Sequence, residues 1–134
     1  MAKPVFCVDL DGVLLKQSCW FDISVFGVPI DGAVEFVKLL KSIGTVTIFT
    51  CRCKEAEAHD KEMAAGFSVD ERVQMVKNWL DGYGIPFDHI YTGRGKPLAD
   101  FYIDDRAICC QPEVPDKDYW TAMNTIIEML TKGK

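Results

Sequence analysis

Asp9 and Asp11, with Leu10 between them, close an apolar run that begins at Val5, and Gly12 follows at once. Two carboxylates at the end of a buried strand lose hydration and repel one another, so they need a cation or a shared proton. Thr50 ends a second β-branched run, TVTIFT. Asp104 and Asp105 end a third, DFYIDD, with Lys96 in the loop GRGKP just before it. Singly, Thr50 reads as a helix cap, Lys96 as a solvated lysine and the acid pair as a turn. Four acids, a hydroxyl and an amine at matching strand ends are instead a donor set for a hard divalent cation and a phosphoryl group.

Those strand ends coincide only if the elements between them alternate. Pro4 precedes Val5–Val8, a short run suited to a central parallel strand. Residues 14–30, with Trp20, Phe21, Phe26, Gly27 and Pro29, read as an irregular excursion or small hairpin, with 14–28 as a candidate flap. Asp31 is the expected N-cap of a helix with an apolar stripe of Val34, Val37 and Leu40, ended by Gly44. TVTIFT then completes a βαβ unit with a right-handed crossover.

The run 54–66 has helical propensity but a weak apolar face, and reads as a short surface helix or a mobile segment. Ser68 and Glu71 make a capping box for a helix carried on by Val73, Val76 and Leu80 as far as Gly82. FDHIYT and DFYIDD are two more strands, and 107–110 is a short fifth. Asp118 opens an amphipathic closing helix through Tyr119, Met123, Ile126, Ile127 and Leu130. The expected fold class is α/β, a doubly wound parallel sheet in three layers, which places its ligands at the carboxyl ends of the strands.

At 134 residues and 49% hydrophobic composition, residues 1–134 are expected to form a single domain with one core. No stretch approaches the roughly 18 apolar residues of a membrane span, so a cytoplasmic protein is expected. A net charge of −5 argues against a broad nucleic-acid surface, which needs Lys and Arg to displace phosphate counterions. The six cysteines (Cys7, Cys19, Cys51, Cys53, Cys109 and Cys110) lack the spacing of a secreted disulfide framework and are expected to be mostly reduced, packed thiols. Cys51 and Cys53 with His59 lack a second closely spaced ligand pair for zinc. The loop 93–97 is not a nucleotide-binding P-loop, because Ile90 stands where a glycine is required and Pro97 replaces the Ser/Thr.

Taken in order, VDLDGVLL, IFT and GRGKPLADFYIDD resemble the four motifs of the haloacid dehalogenase-like hydrolases, from residue 5 to about residue 110. The resemblance implies a Rossmann-like domain of that type, with Asp9 as nucleophile, Asp11 as general acid/base and magnesium as cofactor. The metal site it implies takes Asp9, Asp11 through its backbone carbonyl, and Asp104; Asp105 stands either beside the metal or as the partner that orients Lys96. Thr50 and Lys96 are the implied phosphate-binding residues. The dehalogenases proper lack the second aspartate, so Asp11 points to phosphoryl rather than halide chemistry. Here the last motif is an adjacent pair, where many relatives space their two acids along a loop. Arg52 and Arg94 read either as substrate contacts or as ordinary surface or ion-pairing arginines.

Residues 13–30 are too few for a helical cap domain, and 51–95 are used up by one or two helices and a strand. The chain therefore resembles the capless or minimally capped branch of that family. Such an open site suits a bulky phosphorylated substrate, or a site completed by another subunit of a homo-oligomer. A small substrate under a flap carrying Trp20 and Phe21 is the other expectation. Two non-enzymatic readings stand beside the phosphatase: a receiver-like module that holds an aspartyl phosphate, and a metal-binding interaction domain. A receiver takes its phospho-acceptor from a middle strand, whereas here Thr50, not an acid, ends the second strand.

Overall fold

The computed structural model describes residues 3–16, 24–53 and 66–132. Strands β1 (Val5–Val8), β2 (Thr45–Ile48), β3 (His89–Ile90) and β4 (Phe101–Ile103) form a parallel sheet in the order β3-β2-β1-β4. Helix α1 (Ala33–Ile43) lies between β1 and β2, α2 (Val69–Gly82) between β2 and β3, and α3 (Tyr119–Thr131) follows β4; among the described residues no helix separates β3 from β4. From β1 the chain steps to β2 and β3 on one side, then returns to the other side of β1 for β4. This is the doubly wound α/β arrangement, and a crevice opens at the carboxyl ends where the winding reverses.

Register fixes what stands there. Val8 pairs with Ile48 on one side and Ile103 on the other, so Asp9, Phe49 and Asp104 are each the next residue beyond a paired row. The ladder carries on for one more bond each way: Asp9 N–H donates to Ile103 O, and Phe49 N–H to Val8 O, both at 2.9 Å. On one face of the sheet Phe6, Val8, Val46 and Ile48 pack with Ala33, Val37 and Leu40 of α1 and with Val76, Trp79 and Leu80 of α2. Each such buried side chain stabilises the fold by about 1.5–3 kcal/mol relative to exposure.

Local chemistry accounts for the helix ends. At α2 the capping box forms as its spelling requires: Ser68 Oγ accepts from Glu71 N–H, and Glu71 Oε1 accepts from Ser68 N–H, both at 3.1 Å. At α1 the expected cap, Asp31, gives way to Gly32, whose φ of 91° is open to glycine at low cost. No side chain caps that end; Ala33 N–H instead donates to Ile30 O at 2.9 Å. Gly44 closes α1 as expected, donating to Leu40 O.

The excursion after β1 has the base of a hairpin. Lys16 N–H donates to Val28 O and Ile30 N–H to Leu14 O, with Leu15 bridged to Pro29 in antiparallel fashion. Trp20 and Phe21 lie outside the described residues, as do Cys19, His59 and all of 54–66 except Gly66.

Two further expectations are corrected, and one element proves exposed. Residues 107–110 form no strand, because Arg106 N–H donates to Asp104 Oδ1 at 2.7 Å and turns the chain away from the sheet directly after β4. Helix α3 begins at its Asp118 cap as expected, but it buries none of its residues and contributes nothing to the core; Trp120 and Leu130 are among its exposed apolar side chains. Of the described cysteines, Cys7 and Cys53 are packed thiols, whereas Cys51, Cys109 and Cys110 are exposed. Among the described residues no helix is long and apolar enough to cross a membrane.

Candidate functional site

Asp9, Asp104 and Asp105 each offer a carboxylate oxygen within 4.8 Å of the others. Two of these acids meet because β1 and β4 run parallel in register, and the third because it directly follows Asp104. Main-chain amides hold two of them: Leu10 N–H donates to Asp9 Oδ1 at 2.8 Å, and Arg106 N–H to Asp104 Oδ1 at 2.7 Å. Gly12, at φ 83°, makes room for the third. A β-carbon there would collide with the Asp105 carboxylate, and its φ is one that other residues rarely adopt.

Burial pushes the Asp9 carboxyl up to about 7, and the nearby Asp104, Asp105 and Asp11 push the same way, against the Leu10 N–H that favours the ionised form. An all-oxygen, anionic donor set of this kind fits a hard divalent cation such as magnesium. Beside it, burial, together with the charges of Asp9 and Asp104, raises the Cys7 thiol to about 11, which keeps it protonated and unreactive. The same thiol feels Lys96 as an opposing charge, so the ammonium belongs to the neighbourhood of the acids. Lys96 Nζ sits 4.0 Å above the Tyr102 ring, and Tyr102 Oη donates to Pro97 O, which ties the 93–97 loop to β4.

Thr50 is buried where the chain leaves β2. Its Oγ1 accepts from Arg52 N–H at 3.2 Å, which leaves the hydroxyl proton to donate. Arg94 is exposed in the 93–97 loop.

Asp11 stands apart from the three-acid group. Arg52 Nη2 donates to its Oδ1 at 2.7 Å and Arg52 Nε to its Oδ2 at 2.9 Å, a bidentate pair in which the two residues are only 4% and 5% exposed. Any share of Asp11 in holding a cation therefore falls to its backbone carbonyl, not its side chain. Of the two readings of Arg52, ion pairing is the one the structure displays. Its third nitrogen, Nη1, donates to Val25 O at 2.9 Å, and its guanidinium carbon lies 4.4 Å from the centre of the Phe26 ring.

Sequence reasoning missed this arrangement and the residues that frame it, Phe26, Arg72 and Trp79. The available signal was charge accounting: an acid at the edge of a core calls for a fixed partner, and Arg52 is one of the cations that follow a strand end closely. Among the described residues, which leave out His59, the geometry gives the zinc alternative no support. Cys51 is exposed, whereas Cys53 is buried against Arg72 O with its thiol pushed up to about 12, chiefly by burial.

No protein-family model and no curated protein matches the chain. Two solved structures are similar in shape. One, a structural-genomics target from Vibrio cholerae, is 23% identical with a TM-score of 0.49, covering 98% of this chain and 99% of the other. The second is a D,D-heptose bisphosphate phosphatase from B. bronchiseptica complexed with magnesium and phosphate. It is 16% identical with a TM-score of 0.45, covering 96% of this chain and 64% of the other. Both superpositions are loose, and the chemistry of this chain rests on its own residues.

Proposed function

We propose that this protein is a magnesium-dependent phosphomonoester hydrolase of the haloacid dehalogenase-like kind, working through an aspartyl phosphate on Asp9. The observation that carries the reading is the group of Asp9, Asp104 and Asp105, formed where β1 and β4 end in register beside the Thr50 end of β2. Asp9 attacks phosphorus in line, the bond to the leaving oxygen breaks, and an acyl phosphate forms on Asp9. Asp11 handles the protons, giving one to the leaving oxygen and taking one from the water that later attacks the acyl phosphate.

The Thr50 hydroxyl and the Lys96 ammonium hold the oxygens of the transferring group, where charge must be stabilised. Asp9, Asp104 and Asp105, with the Asp11 carbonyl, would hold the magnesium. When bound, the ion supplies positive charge that offsets the carboxylates and orients the phosphoryl group.

Phosphate release from a broad panel of phosphomonoesters, with and without magnesium, tests this directly. Release is expected only with magnesium, and Asp9→Asn is expected to lower it by at least about 10³-fold. Magnesium-independent release, or undiminished turnover in Asp9→Asn, overturns the mechanism. A stable acid-quenched phosphoprotein without turnover favours the receiver-like alternative.

A further inference from the structure

We propose that Arg52 is the positioning residue for Asp11, setting its carboxylate for the water step of the reaction, a role that rests on the phosphatase reading above. Arg52 is fixed on every side. Its N–H donates to Thr50 Oγ1, its carbonyl accepts from Arg72 Nη1 at 3.0 Å, and its Nη1 holds Val25 O on the returning arm of the hairpin. Phe26 packs under the guanidinium and stacks in turn on Trp79, whose Nε1–H donates to Gly27 O at 2.9 Å. The planar fork therefore has one orientation, and two parallel N–H contacts transmit it to Asp11.

Lone-pair geometry shows how this arrangement suits the water step. An ionised carboxylate offers about four lone-pair positions, of which the fork occupies two. The remaining two stay open on a carboxylate whose direction the fork has set, and either can accept a proton from an attacking water. In the step it serves, the water oxygen bonds to phosphorus and the bond from phosphorus to the Asp9 oxygen breaks. The water proton passes to Asp11, and inorganic phosphate and a free Asp9 carboxylate result. Formation of the acyl phosphate needs no proton from Asp11 when the leaving group is a stable anion.

Arg52→Lys keeps the charge and removes the fork. With para-nitrophenyl phosphate and magnesium, this variant is expected to give a burst of nitrophenol near one equivalent. Its kcat and KM fall together by about 100-fold, leaving kcat/KM within about twofold of wild type, while acid-quenched phosphoprotein accumulates. A lower kcat at unchanged KM with no added phosphoprotein marks a purely structural role and overturns the proposal. A raised KM marks a substrate contact and overturns it too, as does unmoved turnover.

Should Arg52→Lys fail to fold, the double variant Arg52→Gln with Asp11→Asn, which buries neither charge, takes its place against Asp11→Asn alone. Equal turnover supports the role; a further loss overturns it. A wild-type chain that turns over nothing sinks the phosphatase reading and this role together. An active wild type that loses turnover in Asp9→Asn while Arg52→Lys is unaffected sinks this role alone.

Discussion

Asp9 and Asp11 are two residues apart in the chain and opposite in setting. Asp11 is buried and gripped by Arg52 through two N–H contacts. Asp9 faces Asp104 and Asp105 within 4.8 Å and is held by a single main-chain amide. The fold supplies a permanent counter-charge where a carboxylate's direction must be set. Where the carboxylates crowd together, it leaves a repulsion that a bound cation would relieve. Asp11 is therefore compensated as built, whereas Asp9 ionised opposes the fold of the metal-free chain.

The largest effect expected from breaking this contrast is at the pair. Arg52→Ala strands a buried carboxylate and should destabilise the chain by about 3–5 kcal/mol, read from urea unfolding, while adding Asp11→Asn recovers a substantial part of the loss. Equal destabilisation by the single and double variants would show that Arg52 acts through packing on Phe26 instead.

A second test uses pH. Asp9 is held up to about 7 from an ordinary value of 3.8, so between those values the folded chain keeps a proton that the unfolded chain has released. More protons on the native side mean that stability without metal falls as pH rises across that window and levels off above about 7. Thermal melts in chelator at a series of pH values, compared with Asp9→Asn, isolate the slope; a variant with the same slope as wild type removes Asp9 as its source. Magnesium should act with the opposite sign, stabilising more as pH rises toward about 7, because it competes with that proton.

The smallest expected effect is at Asp105, which is exposed. Asp105→Asn thins the cluster and should stabilise the metal-free chain by less than about 1 kcal/mol, while weakening magnesium binding measured by calorimetry. A loss of stability in that variant would mean that the carboxylate supports the Gly12 turn it packs against.

The sequence patterns that were legible are those whose physics is local. Val5–Val8 reads as a strand from its own residues, and the Ser68 and Glu71 box announces α2 because both partners lie within one turn. The acids at 9, 104 and 105 were legible as a group because parallel strands in an α/β sheet end on the same side. Arg52 and Asp11 were not paired in advance, since they are 41 residues apart and meet only through the packing of β2 against β1. The expected fifth strand failed for a reason of scale: one side-chain turn at Asp104 outweighs the weak β preference of four residues. The closing helix α3 was legible, but its exposure was not, because an amphipathic pattern specifies a face without specifying what covers it.

The order β3-β2-β1-β4 also has a kinetic consequence. β1 meets β2 across a single helix, but it meets β4 only after a long stretch of chain has been gathered in, as the bond from Val5 N–H to Asp100 Oδ2, spanning 95 residues, makes plain. Contacts of that sequence separation carry a large loop-closure entropy and form late. Asp9 on the first strand and Asp104 on the last become neighbours only at that final docking. A divalent ion that binds the three acids would thus report the arrival of β4 in a refolding chain, and the acid group would be among the last parts of the molecule to form.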